Sequence, residues 1–333
     1  MSSDPISGEI GTDARWLAQA LDAENGLVRL VPMDAAAYRD ASFLDDRMMV
    51  PGRESVVVPW SEAVAALPAD ARTDARWIFH IGHVGSTLVA RLLGELGGVL
   101  SVREPRILRD VAMLSEERRA EYLAQLQKLL SRTFSPDELA LVKATSFVSE
   151  IAPELMPPGE RALFLYASPR AYIASILAGP NSVQELAALG PSLAQRVAGR
   201  FTLAKSSNGA EAAAAAWACE MTALEAAADA MPDRKVAWAD FDRMLCDMAG
   251  ELANVADFFG FSAAPGQIEA IAAGPLMGRY SKALEYEYSP SLRLELIAEA
   301  DAANRADIDS AIAMLHSAAA RSSLLARALD RSH

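Results

Sequence analysis

The clearest hydrophobic signal in the chain is the run Trp77 to Ile81 (WIFHI), rich in aromatic and β-branched residues and stopped at Gly82. A short run with no polar face predicts a buried strand. After the loop GHVGST, apolar residues recur at Leu88, Leu92 and Leu96, and at Val89 and Leu93. That spacing predicts a helix ended by Gly97 and Gly98. Further short apolar runs at Val99 to Val102, Leu139 to Val142, Ala162 to Tyr166 and Lys235 to Trp238 are separated by segments of helical pattern. Buried strands alternating with helices predict an α/β fold, here a three-layer α/β/α arrangement with a central parallel sheet behind a phosphate-binding type of loop.

Residues 73–264 are predicted to form this core. Residues 1–72 carry one predicted helix, Trp16 to Ala23, and one predicted strand, Val56 to Val58, and are expected to pack on the core as an extension or lid. Residues 265–333 are expected to complete the same domain, with the interrupted stretch GPLMGRYSK followed by an amphipathic helix from Ala306 to Leu329. The alanine-rich segment between Gly209 and Met231 predicts a long packing helix, with Pro232 and Asp233 beyond its end.

Charge narrows the partners. Lysine and arginine total 31 against 44 acidic residues, a net charge of -13, which repels nucleic acid and anionic membrane surfaces. No apolar run reaches the length of about 20 residues that a membrane span needs, and the N-terminal residues are acidic without an apolar stretch, so a cytoplasmic location is expected. A homodimer is compatible with the sequence. Cys219 and Cys246 fall in helical segments without metal-ligand spacing and are expected to be buried, reduced thiols.

The candidate chemistry begins at the loop. Gly82, Gly85, Ser86 and Thr87 lie between a predicted strand and helix, where backbone N–H groups and the helix dipole favour an anion. Glycine lets the backbone approach an oxyanion closely, and the two hydroxyls can donate to it. The alternative is a strand-to-helix turn without a ligand. An ATPase or GTPase loop needs a lysine before its Ser/Thr, but Ser86 stands between Gly85 and Thr87. No hydrophobic strand is predicted to end in an aspartate that would hold magnesium.

The segment FHIGHVGSTLVARLL resembles the 5′-phosphosulfate loop of the sulfotransferases that use 3′-phosphoadenosine-5′-phosphosulfate (PAPS), and FLYASPRAYIAS resembles their second motif. The order of EPRIL, VKATS, Trp217, VAWADFDRML and FFGF extends the likeness over residues 76–262. The resemblance implies a sulfotransferase-like fold with PAPS as co-substrate and no metal. It assigns Gly82, His83, Val84, Gly85, Ser86 and Thr87 to the phosphosulfate, and Arg170, after Pro169, together with Ser175 to the 3′-phosphate. Two positions depart from the family pattern: His83 stands where a lysine or arginine is usual, and Ala167 replaces an arginine that binds the 3′-phosphate. Arg170, or Arg279 and Lys282 of the RYSK segment, are the expected substitutes. With Tyr280, that segment is expected to fold over the adenine.

Sulfuryl transfer requires a base for the acceptor and stabilisation of charge on the leaving oxygen. Glu104 follows the second core strand, at the sheet edge where open α/β folds place ligands, and is the candidate base. Its alternative role is a charge pair with Arg103 or Arg106. His83 is the second candidate, as base or, when protonated, as donor. Lys143, following the third core strand, is the expected ligand of the sulfuryl group or acceptor, whereas Trp217 and His80 are expected in the core. The expected function is sulfuryl transfer from PAPS to a hydroxyl or amine of a small-molecule acceptor. An ATP-dependent phosphotransferase and a non-catalytic binding protein of the same fold are the alternatives.

Overall fold

The protein is described by a computed structural model over residues 10–11, 13–203, 206–279 and 289–332. Two sheets organise it. The first is antiparallel, with β1 (Trp16–Asp22), β2 (Leu27–Pro32) and β3 (Val56–Pro59) in that order. The second contains β4 (Arg76–His80), β5 (Val99–Arg103), β6 (Leu139–Lys143), β7 (Arg161–Tyr166) and β8 (Lys235–Asp240), all parallel and ordered β5-β6-β4-β7-β8. Helices flank this sheet, so its inner strands are buried on both faces and read in the sequence as unbroken apolar runs.

The strand order locates the site. From β4 the chain winds to one side through β5 and β6, then crosses to β7 and β8. Winding therefore reverses at β4, and the crevice at its carboxyl end, between β6 and β7, is where open α/β sheets receive ligands. Helix α1 (Ser86–Leu93) starts in this crevice. The remaining helices needed below are α2 (Pro169–Leu177), α3 (Gly209–Asp229), α4 (Pro290–Ala303) and α5 (Arg305–Ala319).

Four expectations are corrected. Trp16 to Ala23 is strand β1, not a helix; its pairing with β2 shifts between Ala18 and Ala20. That irregularity buries Leu17, Ala18 and Gln19 in succession and erases the alternation that marks a half-buried strand. The helix after the loop ends at Gly94, short of Gly97 and Gly98. The expected helix from Ala306 to Leu329 is two, Arg305–Ala319 and Ser323–Arg331, divided where the Ser322 hydroxyl accepts the Leu325 N–H at 3.3 Å as an N-cap. Finally, β8 does end in an aspartate, Asp240.

The segment after β2 joins the two sheets. The Arg103 guanidinium donates to the carbonyls of Tyr38, Arg39 and Ala41, and the Leu44 N–H donates to the Arg103 carbonyl at 2.8 Å. This brings residues 43–47 to the end of β5. Among the described residues, no helix is long and apolar enough to cross a membrane.

Candidate functional site

His80, the last residue of β4, holds the start of the loop. Its Nδ1 accepts the Gly82 N–H at 2.9 Å, so Nε2 carries the ring proton and faces the Ala144 carbonyl at 2.9 Å. Gly82, His83 and Gly85 all adopt left-handed backbone angles, with φ of 80°, 54° and 61°. At Gly85 nothing but hydrogen fits, because a Cβ there would fall inside the Phe241 ring. His83 bears a side chain in this conformation, and its ring meets Tyr172 of α2 edge-on at 6.3 Å. Val84 is buried under the loop.

Ser86 and Thr87 form the first turn of α1 and are both buried. Thr87 Oγ1 has no hydrogen-bond partner among the described residues, and neither does Thr145 Oγ1, which lies just beyond β6. Buried hydroxyls are normally satisfied. An orphan hydroxyl in the first turn of a helix matches what an oxyanion would occupy.

Glu104 and Lys143 meet in the same crevice. Glu104 turns off β5 with φ of 51°, and its N–H donates to the Lys143 carbonyl at 2.7 Å. The Lys143 ammonium donates to Glu104 Oε1, while Arg47 Nη2 donates to Oε2 at 3.2 Å. His80 Nε2 stands 4.0 Å from Oε1. The Lys143 side chain is 1% exposed and that of Glu104 10%, so this is a nearly dry ion pair at the mouth of the crevice. The two arginines expected beside Glu104 are engaged elsewhere: Arg103 donates to backbone carbonyls, and Arg106 binds Asp46 and Asp110.

Arg47 and Phe43 were not singled out in the sequence. The Arg47 guanidinium lies 3.3 Å from the centre of the Phe43 ring and bonds Asp45 through Nε at 2.8 Å and Nη2 at 2.6 Å. Burial works against this cation, but Asp45 and then Glu104 outweigh it and raise its pKa. On the other side of the loop, Asp240 caps the helix Phe241–Cys246 by accepting the N–H groups of Asp242 and Arg243, which accounts for the aspartate that ends β8. Burial pushes the Asp242 carboxyl upward, against the influence of Arg293, whose Nε and Nη2 lie 3.4 Å from Oδ1. Arg293, also missed in the sequence, comes from the first turn of α4 and donates to the His83 carbonyl at 3.5 Å.

The residues expected at the 3′-phosphate are otherwise engaged. Arg170 bonds Asp301 at 2.6 Å and also Asp309. Ser175 donates its hydroxyl to the Tyr172 carbonyl at 2.8 Å. Ala167 is buried, and its carbonyl accepts the Trp217 indole N–H at 2.9 Å, which puts Trp217 in the core as expected. Arg279 is exposed after the turn Pro275–Gly278. Tyr280 and Lys282 lie outside the described residues. The loop thus offers an orphan hydroxyl at a helix start, where an oxyanion could be held, whereas a 3′-phosphate would have to draw Arg170 from two carboxylates.

No protein-family model matches the chain, and no curated protein matches it. Among solved structures, the sulfotransferase domain from the curacin biosynthetic pathway is similar at 14% identity and a TM-score of 0.42, covering 65% of this chain and 84% of that one. The sulfotransferase domain from the Synechococcus PCC 7002 olefin synthase is similar at 13% identity and a TM-score of 0.39, covering 67% of this chain and 86% of that one.

Proposed function

We propose that the protein is a sulfotransferase that moves a sulfuryl group from PAPS to a hydroxyl or amine of a small-molecule acceptor. The observation that carries this reading is the convergence of two features on one crevice: a glycine loop with a buried orphan hydroxyl at Thr87, and the ion pair of Glu104 with Lys143. In the transfer, the acceptor oxygen or nitrogen forms a bond to sulfur as the bond from sulfur to the bridging oxygen breaks. Glu104 takes the acceptor proton, and Lys143 and Arg47 hold that carboxylate in place. The loop N–H groups and the hydroxyls of Ser86 and Thr87 stabilise the charge left on the phosphate oxygens.

A second reading is favoured by one observation. Because Arg170 is held by Asp301 and Asp309, a binding protein that retains the anion loop without recognising a 3′-phosphate also accords with the geometry. Turnover separates the two. Release of adenosine 3′,5′-bisphosphate from PAPS is measured against a panel of small alcohols and amines, with wild type and Glu104→Gln. The sulfotransferase reading expects acceptor-dependent release that falls by about 100-fold or more in the variant. Near-normal release in Glu104→Gln would remove Glu104 as the base, and no release with any acceptor would favour the binding protein.

A further inference from the structure

We propose that Arg293 is the cation of the Gly82–Thr87 loop, completing a site for an oxyanion of the diphosphate or phosphosulfate class. This rests on the anion-loop part of the function proposed above, and not on the identity of the donor. The loop GHVGST holds neither lysine nor arginine. Backbone N–H groups and a helix end offer only partial charges, and an oxyanion carrying more than one charge is held far better by a full positive charge with a forked donor.

Arg293 reaches the loop from a segment more than 200 residues away in the chain. Three contacts fix its guanidinium there. Nη2 donates to the carbonyl of His83, inside the loop, at 3.5 Å; Nε and Nη2 lie 3.4 Å from Asp242 Oδ1; and Cζ sits 5.2 Å from the centre of the Phe241 ring. That same ring occupies the space a side chain on Gly85 would need. Arginine, ring and loop glycine are therefore stacked in sequence, and the buried orphan hydroxyl of Thr87 lies two residues further along the chain.

The bonding of Arg293 suits a group that awaits a ligand. Its contacts use Nε and Nη2 and, at 3.4–3.5 Å, are longer than ordinary N–H···O bonds, while Nη1 makes none among the described residues. Burial raises the Asp242 carboxyl against the pull of Arg293, and its Oδ2 is buried without a partner among the described residues. Arg170 and Arg47, by contrast, each hold carboxylates at close range. The Arg293 side chain is 15% exposed, enough for a ligand to reach it and too little for it to swing freely in water.

Calorimetric titration with inorganic pyrophosphate tests this without the adenosine. Wild type is expected to bind it, Arg293→Gln to bind it roughly tenfold or more weakly, and Arg293→Lys to recover most of the loss. Thermal unfolding accompanies each titration; if Arg293→Gln is poorly folded, the comparison of Arg293→Lys with wild type at two salt concentrations replaces it, with retained, salt-sensitive binding expected. Wild-type affinity in Arg293→Gln, or no binding by wild type, overturns the proposal. Binding of pyrophosphate that depends on Arg293, without binding of adenosine 3′,5′-bisphosphate, supports the arginine's role and sinks the sulfotransferase reading instead.

Discussion

Lys143, the last residue of β6, donates its ammonium proton to Glu104, the first residue beyond β5, so that neighbouring parallel strands end in one buried ion pair. Removing either partner leaves the other's charge less well balanced in a site nearly closed to water, although Arg47 still donates to Glu104 Oε2 at 3.2 Å. Glu104→Gln and Lys143→Met are each expected to cost about 2–4 kcal/mol of stability. Their double variant is expected to cost less than the sum, with a coupling of about 1–3 kcal/mol. Urea unfolding of the four proteins checks this, and additivity would contradict the pair.

Gly85 is predicted to be intolerant of any side chain. Gly85→Ala meets both a left-handed backbone and the Phe241 ring, for an expected loss of roughly 2–4 kcal/mol. Adding Phe241→Leu is expected to recover the packing share and not the backbone share. An unchanged melting temperature in Gly85→Ala would contradict the stacked arrangement of ring and loop.

The carboxylates that hold Arg170 are predicted to tune donor affinity. If Arg170 serves the 3′-phosphate, Asp301→Asn with Asp309→Asn releases it, and affinity for adenosine 3′,5′-bisphosphate rises about fivefold or more relative to ADP. Arg170→Ala moves the ratio the other way. Titration of both nucleotides against each variant checks this, and an unchanged ratio would place the 3′-phosphate elsewhere.

The two thiols are predicted to differ in reactivity. Cys219, in α3, is buried and its thiol is pushed up to about 12, chiefly by burial and then by the neighbouring Glu220. Cys246 is exposed, contrary to the expectation that both are buried, because it ends the helix Phe241–Cys246 on its outer side. A disulfide reagent at neutral pH is expected to titrate one thiol in the native protein and two after denaturation.

The sequence made the core sheet legible because β4 to β7 are short apolar runs of the length and composition that burial on both faces demands, while the half-buried edge strand β8 keeps a shorter apolar run. It hid β1, since a register shift and a buried Gln19 removed the period of two and left residues that favour helices. Within the site, the loop and the ends of β5 and β6 could be read because sequence neighbours form them. Arg47 and Arg293 could not be read: each reaches the site from a distant segment, across 57 and 210 positions, and no local pattern announces such a contact. The serine that divides the C-terminal helices was visible in the pair Ser322–Ser323, but a serine is a weak cap signal until its partner is known.

The most direct test of the central claim is a calorimetric titration of the protein with adenosine 3′,5′-bisphosphate, run beside ADP with magnesium. The account predicts micromolar binding of the bisphosphate, weakened in Ser175→Ala and tighter than that of ADP with magnesium. No binding of the bisphosphate, or a preference for ADP with magnesium, would contradict it.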